Sequence, residues 1–223
     1  MKIKSFREML EEGVDDPSIF KAVFLAGGPG SGKSFTVGKS GLTALGFKIV
    51  NSDDKFEAAL KKAGLEATPE NIYSPKGQEI RGRAKAKTKK QLDVYLDGRL
   101  GLVIDGTGKN YEKIKKQAQG LKDIGYDVAM IFVNTNIETA LNRNRMRKRS
   151  LSDDEVEKMW KEVQDNIGKF QAMFGSNFVI VDNSEGSNIE KATLSAYKKI
   201  AKFSKESPKS VIARQWIKNA LGN

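Results

Sequence analysis

Residues 27–34 read Gly27-Gly28-Pro29-Gly30-Ser31-Gly32-Lys33-Ser34, a complete G-x-x-x-x-G-K-S phosphate loop, and this stretch decides the fold. Upstream, Ala22–Ala26 is a short apolar run that predicts a buried strand. Downstream, Ser34–Leu45 predicts a helix, weakened by Gly38 and Gly41. Strand, glycine loop and helix start are the context such a loop requires. Glycines let backbone N–H groups curl around phosphate oxygens, and the helix N-terminus favours an anion. The expected nucleotide contacts are therefore Gly28, Pro29, Gly30, Ser31, Gly32, Lys33 and Ser34. Lys33 would reach the β- and γ-phosphates of ATP, and the Ser34 hydroxyl would ligate Mg²⁺.

Working outward, apolar segments recur at Phe47–Asn51, Leu100–Asp105, Val128–Asn134 and Phe178–Asp182. Helical patterns separate them: Lys55–Ala63, Gln78–Leu96, Tyr111–Ile124 and, with a break, Ile137–Phe174. Strands alternating with helices predict an α/β fold of the P-loop nucleoside-triphosphate-hydrolase type, a five-stranded parallel sheet covered on both faces. Ligand then sits at the carboxyl ends of the strands. Gly64–Lys76, with two prolines, reads as an irregular excursion over the substrate side. Helices at about Asn188–Phe203 and Pro208–Leu221 are expected to pack on the core. The expected division is a helical leader at 1–19, a kinase domain at 20–187 and C-terminal helices at 188–223.

With no cysteine and no histidine among 223 residues, disulfides, thiolate metal sites and imidazole bases are excluded. A proton acceptor must be Asp, Glu or, less readily, Lys or Tyr. The chain lacks an apolar stretch of bilayer-spanning length and a signal-peptide h-region, so a cytoplasmic protein with no membrane partner is expected. The formal charge is +11. It is concentrated at Arg81–Lys122, with twelve basic and four acidic residues, at Arg143–Arg149, and at Lys191–Lys218. Solvated helix faces and a nucleic-acid surface both account for the first and last blocks.

Three clusters carry chemistry. The second strand ends Val50-Asn51-Ser52-Asp53-Asp54. Asp53 is the candidate base or orienting group for an acceptor hydroxyl, with Asp54 supporting the pocket; a helix cap is the plainer reading of both. The third strand ends Ile104-Asp105-Gly106-Thr107-Gly108, where Asp105 is the candidate Mg²⁺-ordering carboxylate and Thr107 can offer a hydroxyl to substrate. An aspartyl phosphatase of the haloacid dehalogenase type is excluded, because its nucleophilic Asp would occupy Val103. Then comes Arg143-Asn144-Arg145-Met146-Arg147-Lys148-Arg149. On one continuous helix Arg143 and Arg147 share a face, and Arg145 and Arg149 another. Bare arginines repel one another unless an anion neutralises them, and a phosphoryl group is such an anion. Arg143, Arg147 and Arg149 are the candidate ATP contacts, with Arg147 also catalytic, on a lid hinged before the Ser152-Asp153-Asp154-Glu155 helix start.

Gly-x-Pro-Gly-Ser-Gly-Lys-Ser, the Asn-x-Asp-Asp of 51–54 and the Arg-Asn-x-x-Arg-x-Arg of 143–149 together resemble phage polynucleotide kinase. The Ile104-Asp105-Gly106-Thr107 turn is similar to the zeta-toxin group of P-loop kinases, which phosphorylate a nucleotide sugar. The resemblance covers about residues 20–183. It implies strand order 2-3-1-4-5, ATP and Mg²⁺ as cofactors, Asp53 as proton acceptor and lid arginines on ATP phosphates. In the phage kinase an arginine two residues after the paired acids grips an acceptor phosphate; this chain has Phe56 there. The N-terminal Met1–Gly13 also resembles capsid-targeting leaders of T-even-type phage internal proteins, cut after Leu-x-Glu, here Glu12. An amphipathic helix burying Ile3, Phe6 and Leu10 is the alternative.

The expected activity is transfer of the γ-phosphoryl group of ATP to a hydroxyl, with Lys33, Asp53 and Arg147 catalytic. The acceptor is a polynucleotide 5′-hydroxyl or a modified-base hydroxyl in DNA, or else a nucleotide sugar or other small metabolite. A non-catalytic ATP- and DNA-binding virion protein is the reading from a different class. A GTPase is disfavoured, since no Asn-Lys-x-Asp motif occurs.

Overall fold

The computed structural model describes residues 13–39, 41–147 and 150–222. Five strands form one parallel sheet: β1 (Lys21–Ala26), β2 (Lys48–Val50), β3 (Leu102–Asp105), β4 (Asp127–Asn134) and β5 (Phe178–Asp182), in order β2-β3-β1-β4-β5. All six β1 residues are buried, as a strand covered on both faces requires. Successive side chains alternate between two cores. Ala22, Phe24 and Ala26 join Phe132, Phe170 and Phe174 on one face; Val23 and Leu25 join Ile131, Val181 and Ile200 on the other.

Helices α1 (Lys33–Lys39), α2 (Ser52–Lys62), α3 (Pro69–Tyr73), α4 (Pro75–Asp97) and α5 (Tyr111–Asp123) occupy the first half of the chain. Helices α6 (Ile137–Arg145), α7 (Asp153–Gln164), α8 (Ile167–Phe174), α9 (Ile189–Lys205) and α10 (Val211–Ala220) occupy the second. The first core is covered by α5, α8 and, through Ala213, α10; the second by α9. Trp216 of α10 stands edge-on to Phe20, with ring centroids 5.5 Å apart. Among the described residues no helix is long and apolar enough to cross a membrane.

Three expectations are corrected. The helix read as Ser34–Leu45 ends at Lys39, and Leu42–Leu45 forms a separate 3₁₀ turn. Gly41 (φ 62°) and Gly46 (φ 93°) flank that turn in the left-handed region, which no α-helix passes through. Residues 64–76 are not irregular throughout. Thr68 caps α3 by accepting from the Asn71 N–H, Ser74 caps α4 by accepting from the Gly77 N–H, and both prolines sit at helix starts. Finally, Arg143 and Arg147 do not share a helical face, because α6 ends at Arg145. Asn144 ends it: its side chain donates to Leu151 O (2.8 Å) and accepts from Leu151 N (3.0 Å), closing the connection to α7.

One consequence positions the site. α2, α3 and α4 bury Phe56, Leu60, Ile72, Ile80 and Ala84 in a third core distinct from the two on the sheet. This arm follows directly from the end of β2.

Candidate active site

After Ala26 the chain enters the phosphate loop. Gly30 (φ 70°) and Gly32 (φ 81°) are left-handed, and space excludes a side chain at both. A Cβ on Gly30 would stand 2.6 Å from Ala140 O, and one on Gly32 2.3 Å from Asn183 Nδ2. The close neighbours are braces. Asn183 donates to Ser31 O at 2.7 Å, while Arg143 donates to Gly30 O at 3.3 Å and to Asn183 Oδ1 at 3.5 Å. A residue just past β5 and one on α6 thus hold the loop from outside. Pro29 is half-buried in the loop, and Gly28 O accepts from the Ser31 N–H.

Lys33 opens α1 and donates from Nζ to Gly27 O at 3.0 Å. Burial pushes its pKa down, Asp105 opposes this, Arg147 adds to it and Asp53 opposes it more weakly. These four residues therefore share one electrostatic field. Ser34, next along, is exposed.

The acids gather because of strand register. Val50 pairs with Ile104, so Asn51 and Asp105 end neighbouring strands. Asn51 caps α2, accepting from the Asp53 N–H at 2.7 Å. Its amide donates to Asp54 Oδ1 (3.2 Å) and to Asp105 Oδ2 (3.1 Å), tying together residues 54 positions apart. The remaining oxygen, Asp105 Oδ1, is buried and has no hydrogen-bond partner among the described residues. Burial pushes the Asp105 carboxyl above the usual range; Lys33 pulls it down, and Asp53 and Asp54 push it up. Asp53 is exposed in the first turn of α2. Its carboxylate makes no hydrogen bond among the described residues, whereas that of Asp54 is engaged by Asn51.

The turn after β3 is laced to the loop. Gly106 N donates to Leu25 O (2.9 Å), and Gly27 N donates to Thr107 O (3.2 Å). The exposed Thr107 hydroxyl accepts from Lys109 N at 3.4 Å. Buried Asn166, at the start of α8, donates to the carbonyls of Gly108 and Lys109.

The arginines divide. Arg143 faces the loop; Arg145 forks onto both oxygens of Asp153; Arg147 lies beyond the end of α6 with its charge in the field of Lys33. Ser152 and Glu155 form a capping box at the start of α7, as the sequence predicts. Arg149 lies outside the described residues, as do Met1–Glu12 with the expected cleavage point. Phe56 is buried in the arm, and the Arg81 guanidinium stands 4.8 Å from its ring centre.

Sequence reasoning missed the asparagines. Asn51, Asn144, Asn166 and Asn183 each bond groups that local motifs leave unmatched. For Asn51 a signal existed, since Asn directly after an apolar strand and before Ser-Asp-Asp is a favoured helix cap.

The Zeta toxin family model matches residues 11–189, and the chain belongs to that family. Curated protein sequences give no match. Among solved structures, the PezAT chromosomal toxin-antitoxin system of Streptococcus pneumoniae aligns with 18% identity over 92% of this chain and 100% of that one, at a TM-score of 0.54. The structure of AvrRxo1-ORF1:-ORF2 with ATP aligns with 16% identity over 81% of this chain and 63% of that one, at 0.56. A gluconokinase from Sinorhizobium meliloti aligns with 13% identity over 83% and 95%, at 0.50. At these identities the structural likeness is one of fold. The family and the phosphate loop together make the chain a P-loop kinase, an ATP-dependent phosphotransferase that acts on hydroxyl groups.

Proposed function

We propose that this zeta-toxin-family kinase transfers the γ-phosphoryl group of ATP to a polynucleotide hydroxyl, a 5′-hydroxyl or one on a modified base in DNA. One observation carries the choice of residues: the Asn51 side chain ties Asp105 at the end of β3 to the start of α2, where the Asp53 carboxylate has no hydrogen-bond partner among the described residues, and both acids lie in the field of Lys33 on the phosphate loop. The donor phosphates and the acceptor hydroxyl would meet in that field.

In the reaction the acceptor oxygen forms a bond to the γ-phosphorus and the bond from that phosphorus to the β-bridging oxygen breaks, releasing ADP. The hydroxyl proton passes to Asp53, the acceptor-side carboxylate that no hydrogen bond engages among the described residues. Asp54, held by Asn51, and the Thr107 hydroxyl line the acceptor side. Gly28, Gly30, Ser31 and Gly32 present backbone N–H groups to the phosphates, and Pro29, which has no N–H, shapes the loop between them. Lys33 and Arg147 neutralise charge that develops on the equatorial oxygens. Arg143 stiffens the loop through Gly30 O and adds positive charge beside it.

The residues fit Mg²⁺. Asp105 Oδ1 is a buried carboxylate oxygen with no hydrogen-bond partner among the described residues, and Ser34 is the second residue of α1, next to Lys33. Asp105 and Ser34 are the residues that would hold the ion, since carboxylate and hydroxyl oxygens are the donors a hard cation takes. Bound there, Mg²⁺ would supply charge neutralisation across the β- and γ-phosphates.

The polynucleotide is preferred because of the net charge of +11 and the basic block on α4 and α5. A nucleotide sugar or other small metabolite is the second reading. It is favoured by family membership and by Phe56, which is buried where the phage kinase carries its phosphate-gripping arginine. Incubation with γ-labelled ATP and a panel of DNA, RNA, modified-base DNA and nucleotide sugars tests the proposal. Label entering only a nucleotide sugar would replace the first reading with the second.

A further inference from the structure

Helices α2 and α4 lie side by side, and the seam between them opens into a cavity of about 310 Å³. Its floor is apolar, formed in part by Ile80 and Ala84 from the arm's own core. Its walls carry Lys55 and Lys62 from α2, and Lys76, Arg83 and Lys87 from α4. Five cations around one cavity repel one another. Glu79 offsets part of this, pairing with Lys76 at 3.1 Å and with Arg83. Lys55 donates to Gln91, while Lys62 and Lys87 are exposed and have no carboxylate partner among the described residues. The residual charge favours an anionic occupant.

The shape narrows the occupant further. Cationic walls suit a chain of phosphates, and the floor, aliphatic at Ala59, Ala63, Ile80 and Ala84, offers no aromatic ring for a base to stack on, so the phosphates are the recognised feature. Lys62 lies seven residues beyond Lys55 on the same face of α2, about 10 Å along the helix axis, whereas Asp53 in the first turn faces another side, so the end of a strand must turn round the helix start to reach it. Phosphates spaced along a strand match that separation with both side chains extended.

We propose that the groove between α2 and α4 is the track for the phosphate backbone of a single-stranded polynucleotide whose reacting hydroxyl lies at Asp53. This inference rests on the polynucleotide reading above.

The test uses the full chain and the triple variant Lys62→Gln, Arg83→Gln, Lys87→Gln. A 3′-labelled single strand of about twelve nucleotides, within the usual site size, reports binding by fluorescence anisotropy over a series of salt concentrations. Losing three phosphate contacts should weaken binding at least tenfold at low salt and flatten log K against log salt by about 2. ATP affinity should not change, which also shows that the variant is folded. The KM for the strand should rise more than kcat falls. Keeping the charges, with Lys62→Arg, Arg83→Lys and Lys87→Arg, should restore binding. If the wild type phosphorylates the strand and the triple variant keeps its affinity, salt slope and KM, the groove assignment is wrong while the polynucleotide reading stands. If the wild type neither binds nor phosphorylates the strand but phosphorylates a nucleotide sugar, the polynucleotide reading fails and the groove assignment with it.

Discussion

The phosphate loop and the arm of α2–α4 are both built around residues proposed to touch phosphate, yet they are made in opposite ways. The loop is a backbone device. Its left-handed glycines leave no room for side chains, and its carbonyls are clamped by Asn183 and Arg143. The arm is a side-chain device, two helices kept together by a small core of their own, with lysines and an arginine on their rims. A clamped backbone admits few sequences, so the donor side is written in a motif. An amphipathic helix pair admits many, so beyond the Asn-x-Asp-Asp at its start the arm carries no motif.

The comparison can be broken at several points. The largest effect is expected from Lys33→Ala, which should abolish phosphate transfer with the fold retained, as read by a radiolabel assay beside circular dichroism. Turnover at the wild-type rate would remove the loop from the mechanism.

Asp53→Asn should lower kcat by about 10²–10⁴, the scale of losing a general base, with ATP affinity within a few-fold. Calorimetric titration with ATP and steady-state kinetics separate the two quantities. Should Asp54→Asn be the damaging change and Asp53→Asn harmless, the proton goes to the other carboxylate.

Arg147→Lys keeps the charge but loses the planar fork, and a fall in kcat of about tenfold is expected if bidentate contact matters. Wild-type kinetics would make the arginine a diffuse electrostatic contributor.

The smallest activity change sharpens the contrast most. Leu60 is fully buried in the arm, and Leu60→Ala should destabilise that local core by about 2–5 kcal/mol. Acceptor KM should then rise a few-fold while ATP affinity holds, because the loop is braced by α6 and by Asn183 beyond β5, not by the arm. An equal loss of ATP affinity would show that the two regions are one mechanical unit.

Much of this architecture was legible beforehand. The β5 bounds read from the sequence are those observed; β1, β3 and β4 shift by one or two residues at the start, and β2 is one residue shorter at each end. The order 2-3-1-4-5, implied by the resemblance, is the observed order. These features are local: apolar runs, a glycine loop and a capping box each involve residues a few positions apart. The lid was read less well, because a four-residue spacing assumes a continuous helix, and Asn144 ends that helix through Leu151.

By itself, then, the sequence determined the strands, the phosphate loop and the acids that close β2 and β3, since each follows from backbone preferences and apolar patterning within a short window. Tertiary structure alone decided which of those acids is shared with Asn51, which arginine braces the loop and which faces Asp153, and that α2 and α4 enclose a cationic groove. The bond from Asn183 to Ser31 spans 152 residues. Neither residue's surroundings in sequence announce the other, because a hydrogen bond between distant loops depends on where the packed sheet carries them.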